Sequence, residues 1–202
     1  LQAWGEMLQA DPVPNDLYHF DVVNLGRQVL GNYFSVLRDR FTHAYDRRDK
    51  KELELTGQQM VELLTDLDTL LSTHSAFSFG RWLEKARQIG DNKAEQDYYE
   101  LNARTLLTTW GDKDQSLNDY ANRTWAGLVR DYYLTRWKMF IDDVTTAVNE
   151  GKDFDEDAFY RKVTEFELSF TKQTGDYPDC PQISPIETAK QLYQKYRPQI
   201  IK

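Results

Sequence analysis

The sequence predicts an all-α fold, an irregular antiparallel bundle of about seven helices, on three observations. Apolar residues recur three and four positions apart through most of the chain, as they do on one face of a helix. No stretch bounded by turn residues alternates polar with apolar, so no sheet is expected. Several periodic stretches begin behind a Ser or Asp, where a helix needs an acceptor for its first free N–H groups.

Residues 1–16 read as a helix and a proline-bearing loop, and 17–202 as the helical bundle of a single all-α domain, 1–202. Between 17 and 48 two apolar stripes overlap. One is Val22, Leu25, Val29, Tyr33 and Val36; the other is Leu30, Phe34, Leu37, Phe41 and Tyr45. A helix apolar over so wide an arc belongs at the centre of a bundle. Over 50–73 a single face is formed by Met60, Leu63, Leu64, Leu67, Leu70 and Leu71. Shorter helices follow over 79–89, with Gly90 as C-cap, and over 92–109, with Asp91 as N-cap. A long helix is expected over 116–150, its later stripe Tyr133, Trp137, Phe140, Ile141, Val144 and Val148, ended by Gly151. Asp155 caps a helix carrying Phe159, Val163, Phe166 and Phe170, which stops at Gly175. Ser184 and Glu187 then make a capping box with Pro185 at the first helical position. The segments 11–16 and 175–185 read as loops that wrap the bundle.

Composition excludes whole classes of function. Lys and Arg total 25 against 33 Asp and Glu, a net charge of −8, and no basic run exists to grip a phosphate backbone, so no nucleic-acid partner is expected. Aromatic residues reach 13%, too rich for disorder despite a mean hydropathy of −0.71. No apolar run approaches the ~20 residues of a membrane helix, so no membrane partner is expected either. The single cysteine, Cys180, rules out an internal disulfide framework and, standing between prolines without a neighbouring base, reads as an ordinary thiol. The opening LQAWGEMLQA has no initiator Met and no basic start, and reads as a piece cut from something longer.

No metal or cofactor is expected. His19, His43 and His74 share no i, i+4 spacing and read as structural. Asp153, Asp155 and Asp157 start like a calcium loop, but Ala158 stands where the loop needs Gly and Thr164 where it needs a bidentate Glu. Charge at a helix N-terminus explains them better. Asn122-Arg123-Thr124 is a glycosylation sequon, expected within a helix where its signal is weak.

The informative stretch is 98–140. A helix carrying Arg104 runs to Trp110 and Gly111; a polar loop follows, then a helix with Tyr120 and Asn122 early in it. Trp110 therefore stands at a helix end beside a loop. Two readings stay open on the residues alone. Either Trp110 caps the bundle core, as buried aromatics usually do, or it offers a flat apolar face to the C–H side of a sugar ring. Arg104 and Arg136, set among Tyr and Trp, read as structural, stacking on rings and bonding carbonyls or a carboxylate.

The run LTTWG, LNDYAN, AGLV, YY and TRW resembles the C-terminal helical domain of α-N-acetylglucosaminidases, glycoside hydrolase family 89. DVVNLGRQVL, FGRWLEKAR and ETAKQLYQKYRP extend the resemblance over essentially the whole chain. The resemblance implies an enzyme of three parts: a small α/β domain, a (β/α)8 barrel, and this helical domain reached from the barrel through 1–16. Such enzymes remove terminal α-linked N-acetylglucosamine with retention, which serves glycosaminoglycan breakdown. Their two catalytic glutamates sit in the barrel, so none is expected here. By the same resemblance, Trp110, Tyr120 and Leu117 line the sugar pocket, with the 111–119 loop one residue longer than in the mammalian form. Arg104 and Arg136 support the pocket from behind. The implied partners are the barrel and terminal α-linked N-acetylglucosamine glycans. The implied location is extracytoplasmic: secreted or periplasmic in a bacterium, lysosomal in an animal. A rival reading is a stand-alone helical module that binds glycans or a protein through Trp110, Tyr120 and Trp125. Another is a purely structural buttress, which requires Trp110 and Tyr120 to be fully buried.

Overall fold

The computed structural model describes residues 1–10, 15–111, 117–177 and 183–201. Cys180 lies outside them, as do parts of both proline-bearing loops and of the 111–119 loop. Among the described residues there are eight α-helices and no strand. These are α1 (Gln2–Met7), α2 (Asp16–Asp46), α3 (Lys50–Leu71), α4 (Phe79–Arg87), α5 (Lys93–Leu107), α6 (Leu134–Asn149), α7 (Glu156–Thr171) and α8 (Pro185–Ile200).

The starts follow their caps. Asn15, Asp49, Ser78, Asp155 and Ser184 accept backbone N–H groups at the heads of α2, α3, α4, α7 and α8. Two boundary expectations shift. Asn92, not Asp91, caps α5, while the Asp91 N–H donates to Glu95 Oε2 at 2.8 Å. Gly90 lies beyond the C-cap of α4, which is Gln88; its bareness serves close approach, since a Cβ there would meet the Gln96 nitrogen at 2.6 Å.

α2 is the hub. Its buried residues are Val22, Val23, Gly26, Leu30, Tyr33, Leu37, Phe41 and Ala44. They pack against α1, α3 and α8, while the expected stripe position Val36 faces solvent. Gly26 is needed because a Cβ there would sit 2.6 Å from Trp4 and 2.7 Å from Leu70, so α1 and α3 both close onto bare backbone. The turn at 47–49 folds α3 back along α2, and α3 also packs on α6 and α8. A second buried cluster adjoins this core through Trp125 and Tyr133: Phe79, Leu83, Ala103, Leu107, Leu128, Tyr132 and Phe170, drawn from α4, α5, α7 and the segment that leads into α6. Its Tyr132 ring lies under the Arg136 guanidinium, 5.0 Å from it.

The long helix expected over 116–150 is the main correction. Residues 117–126 form turns and extended chain, and helical backbone starts with a π-helical segment, Val129–Tyr133, that runs into α6. Three local facts stop the helix earlier. Asp119 and Gly127 adopt left-handed φ of 61° and 86°. Ala126 is claimed by the chain ahead of α4: Phe79 N–H donates to its carbonyl at 3.1 Å and its N–H to the Phe77 carbonyl at 2.8 Å. The buried Asp68 of α3 accepts from the N–H groups of Gly127 at 2.7 Å and Arg130 at 3.1 Å, acting as an N-cap supplied from another helix. The sequon is corrected with it: Asn122 and Arg123 are exposed and lie outside any helix.

Candidate functional site

α5 ends abruptly. Thr108 leaves helical backbone, and its hydroxyl donates to the Arg104 carbonyl at 2.7 Å. Two residues on, Trp110 adopts φ 59°, with its N–H 2.7 Å from the Thr105 carbonyl. A left-handed backbone at a bulky residue costs about 1–2 kcal/mol and persists only where the surroundings impose it. Here it turns the indole out of the helix stack, so Trp110 is half-buried.

The turn 117–120 comes to meet it. Asp119 donates its N–H to the Thr108 carbonyl at 2.6 Å, hinging the turn to the end of α5. The Tyr120 ring lies 4.9 Å from Trp110, tilted by 59°. Tyr120 is 69% exposed and Leu117 44%, so a buried-buttress role for this pair does not fit. An apolar plane with an exposed phenol beside it is suited to the C–H face of a ring that also carries hydroxyls.

Behind the turn stands an ion cluster. Arg136 of α6 donates from Nη1 to Asp119 Oδ2 at 2.6 Å and pairs through Nε with Glu167 Oε1 of α7 at 3.0 Å. Its guanidinium lies 5.0 Å above the Tyr132 ring. Asn118 reaches from the turn to Glu167 Oε2 at 2.7 Å. Glu167 is buried, and burial holds its pKa above the usual carboxylate range; the Arg136 charge opposes that and the Asp119 carboxylate reinforces it. The sequence pointed to Arg136 and missed Asp119, Asn118 and Glu167. Only a three-dimensional pairing across turn, α6 and α7 reveals them.

Arg104 stands in a separate centre, wholly buried and stacked on Phe79, Phe170 and Tyr177 at 5.1–5.5 Å. It grips Glu100 Oε1 through Nε at 2.9 Å and Nη2 at 2.7 Å. Arg87 takes Glu100 Oε2 at 2.7 Å and reaches the Gly175 carbonyl at 2.6 Å. Burial alone would raise the Glu100 pKa; hydrogen bonds from both arginines more than offset it and hold the group below its ordinary value. Trp125, which one reading grouped with Trp110 and Tyr120, instead packs on Trp82 with ring centres 6.0 Å apart.

His74, Asp153 and Asp155 have structural partners. His74 is buried and accepts from the Ala76 N–H through Nδ1 at 3.2 Å, a turn cap. Asp155 caps α7 and Asp153 pairs with Arg48. Among the described residues no group of three His, Cys, Asp or Glu side chains is placed to hold a metal. A cleft of about 640 Å³ lined by Leu1, Tyr33, Arg40, Gln59 and Gln199 shares no residue with the aromatic pair. No helix among the described residues is long and apolar enough to cross a membrane.

An all-α bundle with an aromatic pair presented at one rim is the class that fold and site define. The chain belongs to the family of the α-N-acetylglucosaminidase (NAGLU) C-terminal domain, which matches residues 1–195. It is 34% identical to human α-N-acetylglucosaminidase over 200 residues, covering 98% of this chain and 27% of that protein. The chain thus spans about a quarter of this relative's length. It resembles the family 89 glycoside hydrolase from Clostridium perfringens in complex with 2-acetamido-1,2-dideoxynojirmycin. That likeness has a TM-score of 0.78 and 26% identity, over 89% of this chain and 21% of that one. A doubly substituted form of that enzyme, in complex with its substrate GlcNAc-alpha-1,4-galactose, gives a TM-score of 0.79 and 25% identity, over 92% and 22%.

Proposed function

We propose that this chain walls the substrate pocket of a retaining α-N-acetylglucosaminidase whose catalytic barrel belongs to the same polypeptide, and that it holds no catalytic carboxylate. Trp110, Tyr120 and Leu117 supply the apolar side of the pocket; Arg136 holds the turn that carries Tyr120, and Arg104 supports the pocket from further back by fixing α5, the helix that leads to Trp110. The observation that carries this reading is the Trp110–Tyr120 pair, ring centres 4.9 Å apart, with Trp110 half-buried just past the end of α5 and Tyr120 exposed beside it. The two buried glutamates fit it as well. Glu100 and Glu167 are both tied to arginine, which suits scaffolding better than a free general acid or a nucleophile. The substrate is a terminal α-linked N-acetylglucosamine, and the enzyme works outside the cytoplasm.

The test is hydrolysis of an aryl α-N-acetylglucosaminide. The isolated chain yields no product, and the full-length enzyme does. Turnover by the isolated chain contradicts the proposal. Saturable glycan binding by the isolated chain, with an affinity equal to that of the full-length enzyme, favours a stand-alone binding module instead.

A further inference from the structure

The turn that carries Tyr120 has two anchors. One is the backbone bond from Asp119 to Thr108, which ties it to α5. The other is side-chain and reaches α7, an element with no part in the aromatic pair itself. Glu167 is 2% exposed, and each of its oxygens meets a group that belongs to or controls the turn. Oε2 accepts the Asn118 amide at 2.7 Å. Oε1 lies 3.0 Å from Arg136, which in turn holds Asp119 at 2.6 Å. Asn118 and Asp119 directly precede Tyr120, so their placement fixes where the phenol ring falls against Trp110. Asp119 also keeps a left-handed φ of 61°, a conformation that relaxes once its partners are gone.

We propose that Glu167 is a positioning residue for the sugar pocket, acting through Asn118 and the Arg136–Asp119 pair to hold Tyr120 and Leu117 against Trp110. This rests on the pocket reading above and deepens it. Glu167 touches no substrate. Its removal lets the turn drift, which weakens capture of the sugar more than it slows the bond-breaking step.

The experiment uses the full-length enzyme in three forms besides wild type: Glu167→Ala, Glu167→Gln and Trp110→Ala. Glutamine keeps the shape and an acceptor for Asn118 but loses the charge facing Arg136, and guards against a variant that fails to fold. Two readouts are taken: KM and kcat on an aryl α-N-acetylglucosaminide, and amide hydrogen exchange over residues 117–122. Glu167→Ala is expected to raise KM about tenfold with kcat within about threefold, and to speed exchange over 117–122 about tenfold while α3 stays unchanged. Glu167→Gln falls between it and wild type on both. If Trp110→Ala raises KM while both Glu167 variants keep wild-type KM and exchange, Glu167's role is overturned and the pocket reading stands. If exchange rises in Glu167→Ala but KM is unmoved in all three variants, the pocket reading fails and takes this proposal with it.

Discussion

Two carboxylate–arginine centres pack against the second core cluster, and they are built in opposite proportions. Around Glu100, one buried carboxylate meets two arginines, Arg87 and Arg104. Around Arg136, one arginine meets two carboxylates, Asp119 and Glu167. The first arrangement overcompensates the buried negative charge and holds the Glu100 pKa down; the second undercompensates it, and burial holds the Glu167 pKa up. Both arginines lie near an aromatic surface, Arg104 among three rings and Arg136 over one. The lesson is that a shared chemistry does two jobs. The Glu100 centre is sealed and fastens α4, α5 and the segment at 175–177 together. The Arg136 centre is part-exposed and fastens the turn that carries Tyr120 beside Trp110.

The comparison can be broken at its strongest point first. Arg104→Met leaves Glu100 buried with half of its compensation, and should destabilise the chain by about 3–5 kcal/mol in a denaturant titration. Gly127→Ala comes next, at about 1–3 kcal/mol, because its φ is 86° and a Cβ would sit 2.6 Å from the Tyr177 ring that roofs Arg104. Arg136→Met should cost less, about 1–2 kcal/mol by the same titration, because Asp119 is part-exposed and Glu167, its pKa already raised by burial, can neutralise by taking up a proton. A larger loss for Arg136→Met than for Arg104→Met would reverse the assignment of sealed and part-open centres.

The smallest effect is the sharpest on sign. A depressed pKa such as that of Glu100 adds stability above the ordinary carboxylate value of about 4.3, and that stability is lost as pH falls through the folded value. A raised pKa such as that of Glu167 does the reverse: its contribution is present below about 4.3 and is lost as pH rises through the folded value. From neutral pH downward, the melting-temperature gap between wild type and Glu100→Gln should therefore shrink. Over the same descent wild type should gain on Glu167→Gln. Thermal melts at closely spaced pH values check both slopes.

Helices were legible because their caps and stripes are local. Asp155 and Ser184 each announce a start within a few residues, and the all-α class follows from the apolar stripes. The failure over 116–150 has a physical cause. The groups that end helical backbone there are remote in sequence: Asp68 caps Gly127 and Arg130 from α3, and Phe77 and Phe79 claim Ala126. A periodicity argument sees only the stripe that begins at Tyr133. The candidate site divides in the same way. Trp110 at a helix end could be read from α5 and the polar loop after it. Its left-handed backbone and its contact with Tyr120 depend on how the turn folds back, and the reach of Glu167 to Asn118 joins segments far apart in the chain; no spacing rule encodes them.

The central claim is that the rim pair serves the sugar while the sealed centre serves the fold. Its most direct test is kcat/KM for hydrolysis of an aryl α-N-acetylglucosaminide by the full-length enzyme carrying either Trp110→Ala or Arg87→Lys. The account predicts at least a tenfold fall for Trp110→Ala with little change in melting temperature, and a lowered melting temperature with kcat/KM within about twofold for Arg87→Lys. Unchanged kinetics in Trp110→Ala, or a larger kinetic loss in Arg87→Lys, would contradict it.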